Sequence, residues 1–166
     1  MDAIVNSISE MNEVVKYLFC FLVSMIPLIE LRGAIPLGFV MGMPPWELFA
    51  LTVIGNILPV PFIILCARPI VNFFLKTKLF RPIGEWLEAK VRKNSHKVAK
   101  YKFWGLFAFV AIPLPGTGAW TGSLAAAFLD IRLKKAMPAV VLGVLTAGTI
   151  MLTLTQVGIN LFSGAV

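Results

Sequence analysis

Apolar residues fill four long blocks of the chain, and short polar or charged segments separate them. The blocks span residues 14–43, 48–67, 103–129 and 136–162. The second and fourth blocks are about as long as the roughly 20 residues that a helix needs to cross the hydrocarbon core of a bilayer. They predict two transmembrane helices. Pro59 and Pro61 should kink the first of these without preventing its insertion.

The first and third blocks carry helix-breaking residues near their midpoints, in the segments IPLIELRGAIPLG and IPLPGTGAWTG. Proline removes an amide donor, and glycine permits backbone angles that helices do not use. The pieces on either side of a break would be roughly 20 Å long as helices, which is short of a hydrocarbon core of about 30 Å. Each block is therefore either one broken span or a re-entrant helical hairpin that returns to the face it entered.

Composition and charge placement favour a membrane protein with re-entrant hairpins. Hydrophobic residues make up 58% of the chain and charged residues only 14%, against about 25% charged residues in soluble domains. Ten of the fifteen Lys and Arg residues lie within 68–102, and three more follow the third block. A re-entrant third block places all thirteen on one face, which the positive-inside rule makes cytoplasmic.

The same reasoning places Asp2, Glu10, Glu13 and Glu47, together with both termini, on the outer face. The predicted fold is thus an all-α, multi-pass protein of the cell (inner or plasma) membrane, forming a single domain over residues 1–166. It is an inverted-topology repeat of hairpin plus transmembrane helix, with repeats at about 14–67 and 103–162. A sequence echo supports the repeat, since Ile26-Pro27-Leu28 recurs as Ile112-Pro113-Leu114.

The linker at 68–102 has Ile83, Leu87 and Val91 at helical spacing opposite a basic face. This pattern predicts a basic amphipathic helix resting on anionic phospholipid headgroups. A solvated helix that only joins the two halves fits the pattern equally well, whereas a nucleic-acid partner is not expected. The spaced glycine pairs Gly38/Gly42 and Gly118/Gly122 suit close helix contact, either in a homodimer or within one chain.

The breaks are the predicted binding site, because non-helical backbone survives in a bilayer only where protein or water satisfies it. Glu30 and Arg32 are the charges within the first break. A buried carboxylate can bind and release a proton near neutral pH, since burial disfavours its charged form. A guanidinium suits phosphate or carboxylate. In the second break, the segment 115–118 opens a helix whose free amides favour an anion.

The full candidate set for substrate or ion binding is Glu30, Arg32, Gly33, Pro36, Pro113, Pro115, Gly116, Thr117, Gly118, Trp120 and Thr121, and Ser123 could add a hydrogen bond. The competing interpretation is structural: Glu30 and Arg32 neutralise each other, and glycine and proline only shape the turns. Asn56 and Gln156, one on each span, either face the same cavity or form interhelical hydrogen bonds.

The motif content argues against catalysis. The chain has no nucleophile–base constellation and no nucleotide-binding loop, and Cys20 and Cys66 lack the spacing of a zinc site. We therefore expect no enzyme activity, no cofactor and no metal site.

The segments PLIELRGAIPLG and FVAIPLPGTGAWTGSLAAAFL resemble the small multidrug export proteins, which are similar in turn to the DedA and VTT superfamily of membrane proteins. The family resemblance implies export of small compounds. The DedA relatives imply ion-coupled translocation of phosphate-bearing lipids such as polyprenyl phosphate. Glu30 matches their acidic residue in the first hairpin. Ala111 and Gly118 stand near where their second-hairpin arginines are expected, so Arg32 and the amides of 116–118 would have to substitute.

Three functions remain open from the sequence. The first is a proton-coupled transporter in which Glu30 carries the proton, while Arg32 and the PGTG turn hold an anionic lipid or small amphipathic anion. The second is an exporter of lipophilic cations, in which Glu30 binds drug and proton in turn. The third is a membrane scaffold or assembly factor without a substrate.

Overall fold

The computed structural model describes residues 12–76, 95–114 and 116–163. Within these ranges the chain forms helices and no strand, which confirms the all-α prediction. The predicted amphipathic helix at Ile83, Leu87 and Val91 lies outside the described residues. The helices are α1 Glu13–Met25, α2 Glu30–Val40, α3 Pro45–Ile57, α4 Val60–Lys76, α5 Ser95–Ala111, α6 Ala119–Phe128 and α7 Leu133–Ser163.

Local sequence signals account for several of the helix ends. Asn12 caps α1, because its side-chain oxygen accepts a hydrogen bond from the Val14 amide at 3.3 Å. Gly42 follows α2 with a φ of 73°, a left-handed conformation that glycine adopts without a steric penalty. Pro45 is the first residue of α3, where an amide donor would have no partner within the helix.

Two apolar spans are long enough to cross a membrane, as the hydrophobic blocks predict. One runs over Pro45–Ala67 and the other over Leu133–Leu161. The first consists of α3 and the beginning of α4, with a turn at Leu58 and Pro59 between them, so the prolines interrupt the span without ending it. Large apolar side chains lie on the outer surface, with Leu28 exposed at 86%, Trp46 at 78% and Leu161 at 69%. This exterior suits lipid better than water.

The first and third blocks each form two helices that pack against each other around a break. The two open ends of the second pair lie together, because Lys102 Nζ in α5 donates a hydrogen bond to the Leu129 carbonyl at the end of α6 at 2.5 Å. In the first pair, Cys20 Sγ in α1 lies 3.9 Å from Met41 Sδ, just after α2. The Tyr17 hydroxyl also bonds Glu47 at the start of α3. Each block therefore turns back on itself.

The two halves of the chain share one contact pattern. The first helix of each pair packs on the span of its own half, α1 on α3 and α5 on α7. The second helix of each pair packs on both spans: α2 on α3 and α7, and α6 on α4 and α7. Buried Leu31, Ile35, Leu48, Val110 and Val140 form part of the single core that results. The two breaks lie against each other, and Arg32 and Trp120 form hydrogen bonds between them.

Glycines let the helices of the core approach closely. A Cβ atom at Gly38 would lie 2.3 Å from a methyl group of Leu48 on α3, and one at Gly122 would lie 2.5 Å from a methyl group of Val110 on α5. These members of the spaced glycine pairs are therefore occupied by packing within one chain, which was one of the two alternatives for them.

Candidate functional site

The first break is shorter than its sequence suggests. It covers residues 26–29, and α2 resumes at Glu30, so Gly33 and Pro36 lie inside that helix rather than in the break. Proline costs a helix one hydrogen bond, and the buried Leu31 and Ile35 on the same helix offset this loss by packing in the core. Leu28 and Glu30 have φ values of 76° and 51°. The backbone is therefore strained within the break and at the first residue of α2, which is charged.

The second break joins α5 to α6, and its described residues are 112–114 and 116–118. Gly116 and Gly118 have φ values of 85° and 140°, which only glycine adopts readily. The chain leaves α5 at Ala111 and enters α6 at Ala119. The last carbonyls of α5 and the first amides of α6 therefore face the same region, without partners in their own helices.

Glu30, the first residue of α2 after the first break, binds the beginning of α6. Its Oε1 accepts a hydrogen bond from the Trp120 backbone amide at 3.0 Å, and the side chain is only 4% exposed. A Cβ atom at Gly118 would lie 2.0 Å from Glu30 Oε2, so only glycine leaves room for the carboxylate. The carboxylate thus caps α6 from another helix, where the helix dipole favours negative charge.

Arg32 binds the end of the α5 segment. Its guanidinium donates to the Ile112 carbonyl at 3.3 Å, to the Leu114 carbonyl, and to Thr117 Oγ1 at 3.0 Å. The Thr117 hydroxyl in turn donates to the same region of backbone, lying 2.8 Å from the Ile112 carbonyl and 2.9 Å from that of Leu114. A cation at the negative end of a helix is electrostatically favourable. Glu30 and Arg32, two residues apart, therefore satisfy opposite ends of the second break.

The indole of Trp120 adds a third link between the breaks. Its Nε1 donates to the Met25 carbonyl, the last residue of α1, at 2.9 Å. A carbonyl at the end of a helix has no partner within that helix, so this bond satisfies the first break from the second. Each break is closed by groups that the other supplies.

A narrow pocket lies beside these contacts. It is a partly open cleft with an empty volume of about 140 Å³, and it is too narrow to admit a water molecule. Its wall consists of Glu30, Leu31, Arg32, Asn56, Val110, Gly118, Ala119, Val144 and Ala147. A ligand would therefore fit here only if the groups that line the pocket move apart.

Two buried side-chain atoms at this pocket lack a hydrogen-bond partner: Arg32 Nε and Asn56 Oδ1. Within the described ranges, no other buried side-chain nitrogen or oxygen is left unpaired. Asn56 lies on α3 and is 1% exposed. Gln156, its counterpart on the other span, is exposed and does not line the pocket, so only one of the two amides faces this cavity.

The structure brings together five of the predicted site residues: Glu30, Arg32, Thr117, Gly118 and Trp120. The hydroxyls of Thr121 and Ser123 bond carbonyls of their own segment, at Gly118 and Ala119, and not the other break. Gly33, Pro36, Pro113 and Gly116 do not line the pocket, and Pro115 lies outside the described residues. Sequence reasoning did not place Asn56 in the candidate set. A polar amide in an apolar span was the available signal.

A comparison with known protein families shows to which family the chain belongs. The family described as "Putative small multi-drug export protein" matches residues 30–150, a range that begins at Glu30 and includes both spans up to Ile150. The chain belongs to this family. The family description and the two apolar spans are consistent with a membrane transporter. No curated protein and no solved structure matches the chain.

Proposed function

We propose that this protein is a proton-coupled secondary transporter that moves a phosphate-bearing lipid carrier or a small amphipathic anion. Its transport unit is an inverted repeat of two re-entrant hairpins, α1–α2 and α5–α6, each followed by a span. The hairpins enter from opposite faces of the cell membrane, and their tips meet around the polar pocket. The basic segment 68–102 lies on the cytoplasmic side, in contact with anionic headgroups. The DedA and VTT proteins are the proposed relatives.

The closure of each hairpin supports this topology. Lys102 and Leu129 hold the open end of one hairpin together, and the Tyr17–Glu47 bond lies at the open end of the other. The first span, α3 and the beginning of α4, starts near Tyr17. Its residue Asn56 lines the pocket between the hairpin tips, and α4 then packs along α6. In lipid, the free backbone groups of two breaks are tolerated only where they satisfy each other.

One observation carries the proposed function: the chain places its own anion and its own cation on the helix ends of the second break. Glu30 occupies the amide end of α6, where a substrate anion would bind. Arg32 holds carbonyls of the 112–114 segment with the fork that would hold a phosphate. In this arrangement Glu30 would compete with a substrate anion for the same amides.

Protonation of Glu30 gives this competition a driving force. A neutral carboxyl group binds the α6 amides less strongly than a carboxylate does, since charge-assisted hydrogen bonds are roughly twice as strong as neutral ones. Proton uptake would release the start of α6 and open the tips. A substrate anion then takes the place of the carboxylate and pairs with Arg32. Proton and anion would therefore move together.

The family description, multidrug export, favours export of small compounds, and our second candidate is therefore an exporter of lipophilic cations. In that mechanism Glu30 binds the drug cation and the proton in turn, and the contacts of Arg32 with Ile112 and Thr117 are structural. The two mechanisms differ in the role of Arg32. An anion site requires its positive charge, whereas a cation site is opposed by it.

Transport in proteoliposomes separates these functions. Wild type, Glu30→Gln and Arg32→Ala are assayed for translocation of farnesyl phosphate and for uptake of tetraphenylphosphonium under an imposed proton gradient. Anion transport predicts movement of farnesyl phosphate that stops in Arg32→Ala and loses its dependence on the gradient in Glu30→Gln. Uptake of tetraphenylphosphonium that survives in Arg32→Ala selects the cation exporter. A scaffold moves neither probe, and Arg132→Ala serves as the matched arginine control.

Cysteine labelling tests the topology separately. In a Cys66→Ser background, Lys97→Cys and Lys135→Cys are probed with an impermeant maleimide on intact cells and on inverted vesicles. Re-entrant insertion of α5–α6 requires both positions to react from the same side. Reaction from opposite sides would make the third block a complete span and remove the inverted repeat.

A further inference from the structure

The two apolar spans present different surfaces to their surroundings. On the first span, every exposed residue between positions 48 and 67 is apolar, and the largest of them are Ile54, Leu58, Phe62 and Leu65. Such a surface suits lipid tails. The exposed surface of the second span, on α7, carries polar side chains as well. Lipid tails offer no hydrogen bond to a polar side chain, so this difference needs a physical reason.

The polar residues of α7 form one stripe along the helix. Between Ala136 and Leu161 the sequence has six polar residues. Five of them recur at alternating intervals of three and four residues, and we call them the α7 stripe: Thr146, Thr149, Thr153, Gln156 and Asn160. These intervals are those of the heptad a and d positions, through which two helices pair side by side.

The α7 stripe faces away from the core of the protein. On the other side of the helix, Val140, Val144 and Ala147 are at most 2% exposed. The residues of the stripe are exposed, except for Thr146, which is half-buried. Because the stripe runs along an apolar span, a single chain would turn these polar groups toward lipid.

The hydrogen-bonding groups of the stripe are only partly used within one chain. The hydroxyls of Thr146, Thr149 and Thr153 each donate to the carbonyl four residues earlier, at 2.8, 2.9 and 2.8 Å. Each hydroxyl oxygen can still accept a hydrogen bond. The side-chain amide of Gln156 forms no hydrogen bond with the described residues, although it has two N–H donors and a carbonyl acceptor. The stripe therefore offers both donors and acceptors to a neighbour.

A second copy of this chain is the neighbour that fits. The bias of basic residues gives every copy the same orientation, so two α7 helices in one membrane lie parallel, with the same residues at the same depth. Across a two-fold axis, each Gln156 then meets its counterpart. Two carboxamides satisfy each other's donor and acceptor, and the remaining N–H groups can bond the Thr153 hydroxyls one turn away. Hydrogen bonds between such side chains are a common means of holding membrane helices together.

We propose that the α7 stripe is the interface of a parallel homodimer in which Gln156 is hydrogen-bonded between the two copies. From Thr146 to Asn160 the helix rises about 21 Å, enough for several layers of contact. Gln156 does not line the pocket, and an interhelical bond was the other role expected for it. The interface lies on the opposite side of α7 from the core, so the proposal does not depend on which substrate the pocket binds.

Disulfide crosslinking in native membranes maps the interface. Single cysteines are introduced into a Cys66→Ser background at two stripe positions, Thr153→Cys and Gln156→Cys, and oxidised with copper phenanthroline. We expect both to give a product of twice the chain mass on a non-reducing gel. Leu154→Cys and Ile159→Cys are the matched controls and should stay monomeric. They are 58% and 42% exposed at the same depth but lie about 100° or more around the helix from the centre of the stripe.

Substitution of the amide tests its contribution to dimer affinity. Fluorescently labelled full-length protein is reconstituted at decreasing protein-to-lipid ratios, and the dimer fraction is counted by single-molecule photobleaching. Gln156→Leu should weaken dimerisation about tenfold, since an interhelical hydrogen bond contributes roughly 1–2 kcal/mol. Thr155→Val is the control and should dimerise as wild type does. Its hydroxyl lies on the same helix but outside the stripe, and it bonds the Met151 carbonyl at 2.7 Å.

Three results overturn the proposal. The first is crosslinking of Leu154→Cys and Ile159→Cys as strong as that of the stripe positions, which would indicate random collision. The second is no crosslink from the stripe, or a product of another mass, which would assign the stripe to lipid, to residues 1–11 of the same chain or to a different protein. The third is a Gln156→Leu variant that dimerises as tightly as wild type, which removes the role of the amide.

Discussion

The two breaks of this protein contact each other but are built in different ways. The first is a four-residue turn at 26–29, followed at once by a helix whose first turn carries Glu30 and Arg32. The second is longer, at 112–118, and its polar groups are mainly backbone amides and carbonyls exposed by Gly116 and Gly118. One break supplies charged side chains, and the other supplies free helix ends.

This division of roles explains how two interrupted helices can lie inside an apolar protein. Unsatisfied backbone groups in lipid cost several kcal/mol each. A second set of charges in the second break would have to be neutralised as well. Instead, the carboxylate and the guanidinium of one short segment satisfy the α6 amides and the 112–114 carbonyls of the other break. We therefore expect substitutions of the charged side chains of α2, and substitutions in the second break that they contact, to lower the free energy of unfolding.

Removing the space for Glu30 should have the largest effect. In Gly118→Ala the new Cβ would lie 2.0 Å from Glu30 Oε2, at a φ of 140° that L-residues avoid. We expect destabilisation of about 3 kcal/mol or more, seen as loss of monodisperse protein by size-exclusion chromatography. Gly116→Ala is the control, because its φ is 85° but nothing lies within 4 Å of the new Cβ. Equal loss in both variants would show that strain and not the Glu30 contact decides.

Loss of the guanidinium should be the next most severe change. Arg32→Ala removes the guanidinium that donates to the Ile112 and Leu114 carbonyls and to Thr117 Oγ1, and we expect a loss of about 2–3 kcal/mol in thermal unfolding followed by tryptophan fluorescence. Arg32→Lys should recover only part of it, since an ammonium group cannot reach all three acceptors as a planar fork does. Full recovery by lysine would mean that charge alone matters at this position.

Neutralising the carboxylate should have an intermediate effect. Glu30→Gln keeps an oxygen that can accept from the Trp120 amide but removes the charge that the α6 dipole favours, so we expect about 1–2 kcal/mol of destabilisation. Glu30→Ala removes the acceptor as well and should be worse. The same unfolding assay ranks the two variants. A glutamine variant as unstable as the alanine variant would indicate that the hydrogen bond contributes little without its charge.

Removing the Thr117 hydroxyl, which accepts a hydrogen bond from Arg32, should have the smallest effect. Thr117→Val keeps the shape but removes the oxygen that accepts from Arg32 at 3.0 Å, and we expect a loss of about 1 kcal/mol. Thr121→Val is the matched control, because its hydroxyl bonds only the Gly118 carbonyl, at 3.4 Å. If both variants unfold at the same temperature, Thr117 does not contribute to holding Arg32.

Part of the candidate site could be predicted from the sequence, and part of the prediction was wrong. The charges of ELRG and the PGTG turn marked Glu30, Arg32, Thr117 and Gly118 correctly as neighbours, because charged groups and free helix ends in an apolar chain need partners. Gly33 and Pro36 were assigned to a break that ends before them. Proline and glycine report a local preference for leaving a helix, and buried packing of the same turn can override it.

The sequence by itself determined that the chain is apolar enough for a membrane, where its apolar spans lie, and the approximate positions of both breaks. These follow from hydrophobicity and from the local backbone preferences of proline and glycine, which need no knowledge of distant residues. Only the tertiary structure decided that Arg32 is held by carbonyls of the opposite break, and that Asn56 lines the pocket while Gln156 does not. The direction in which a side chain points and the groups that it bonds depend on which helices pack together. That packing is a property of the whole fold.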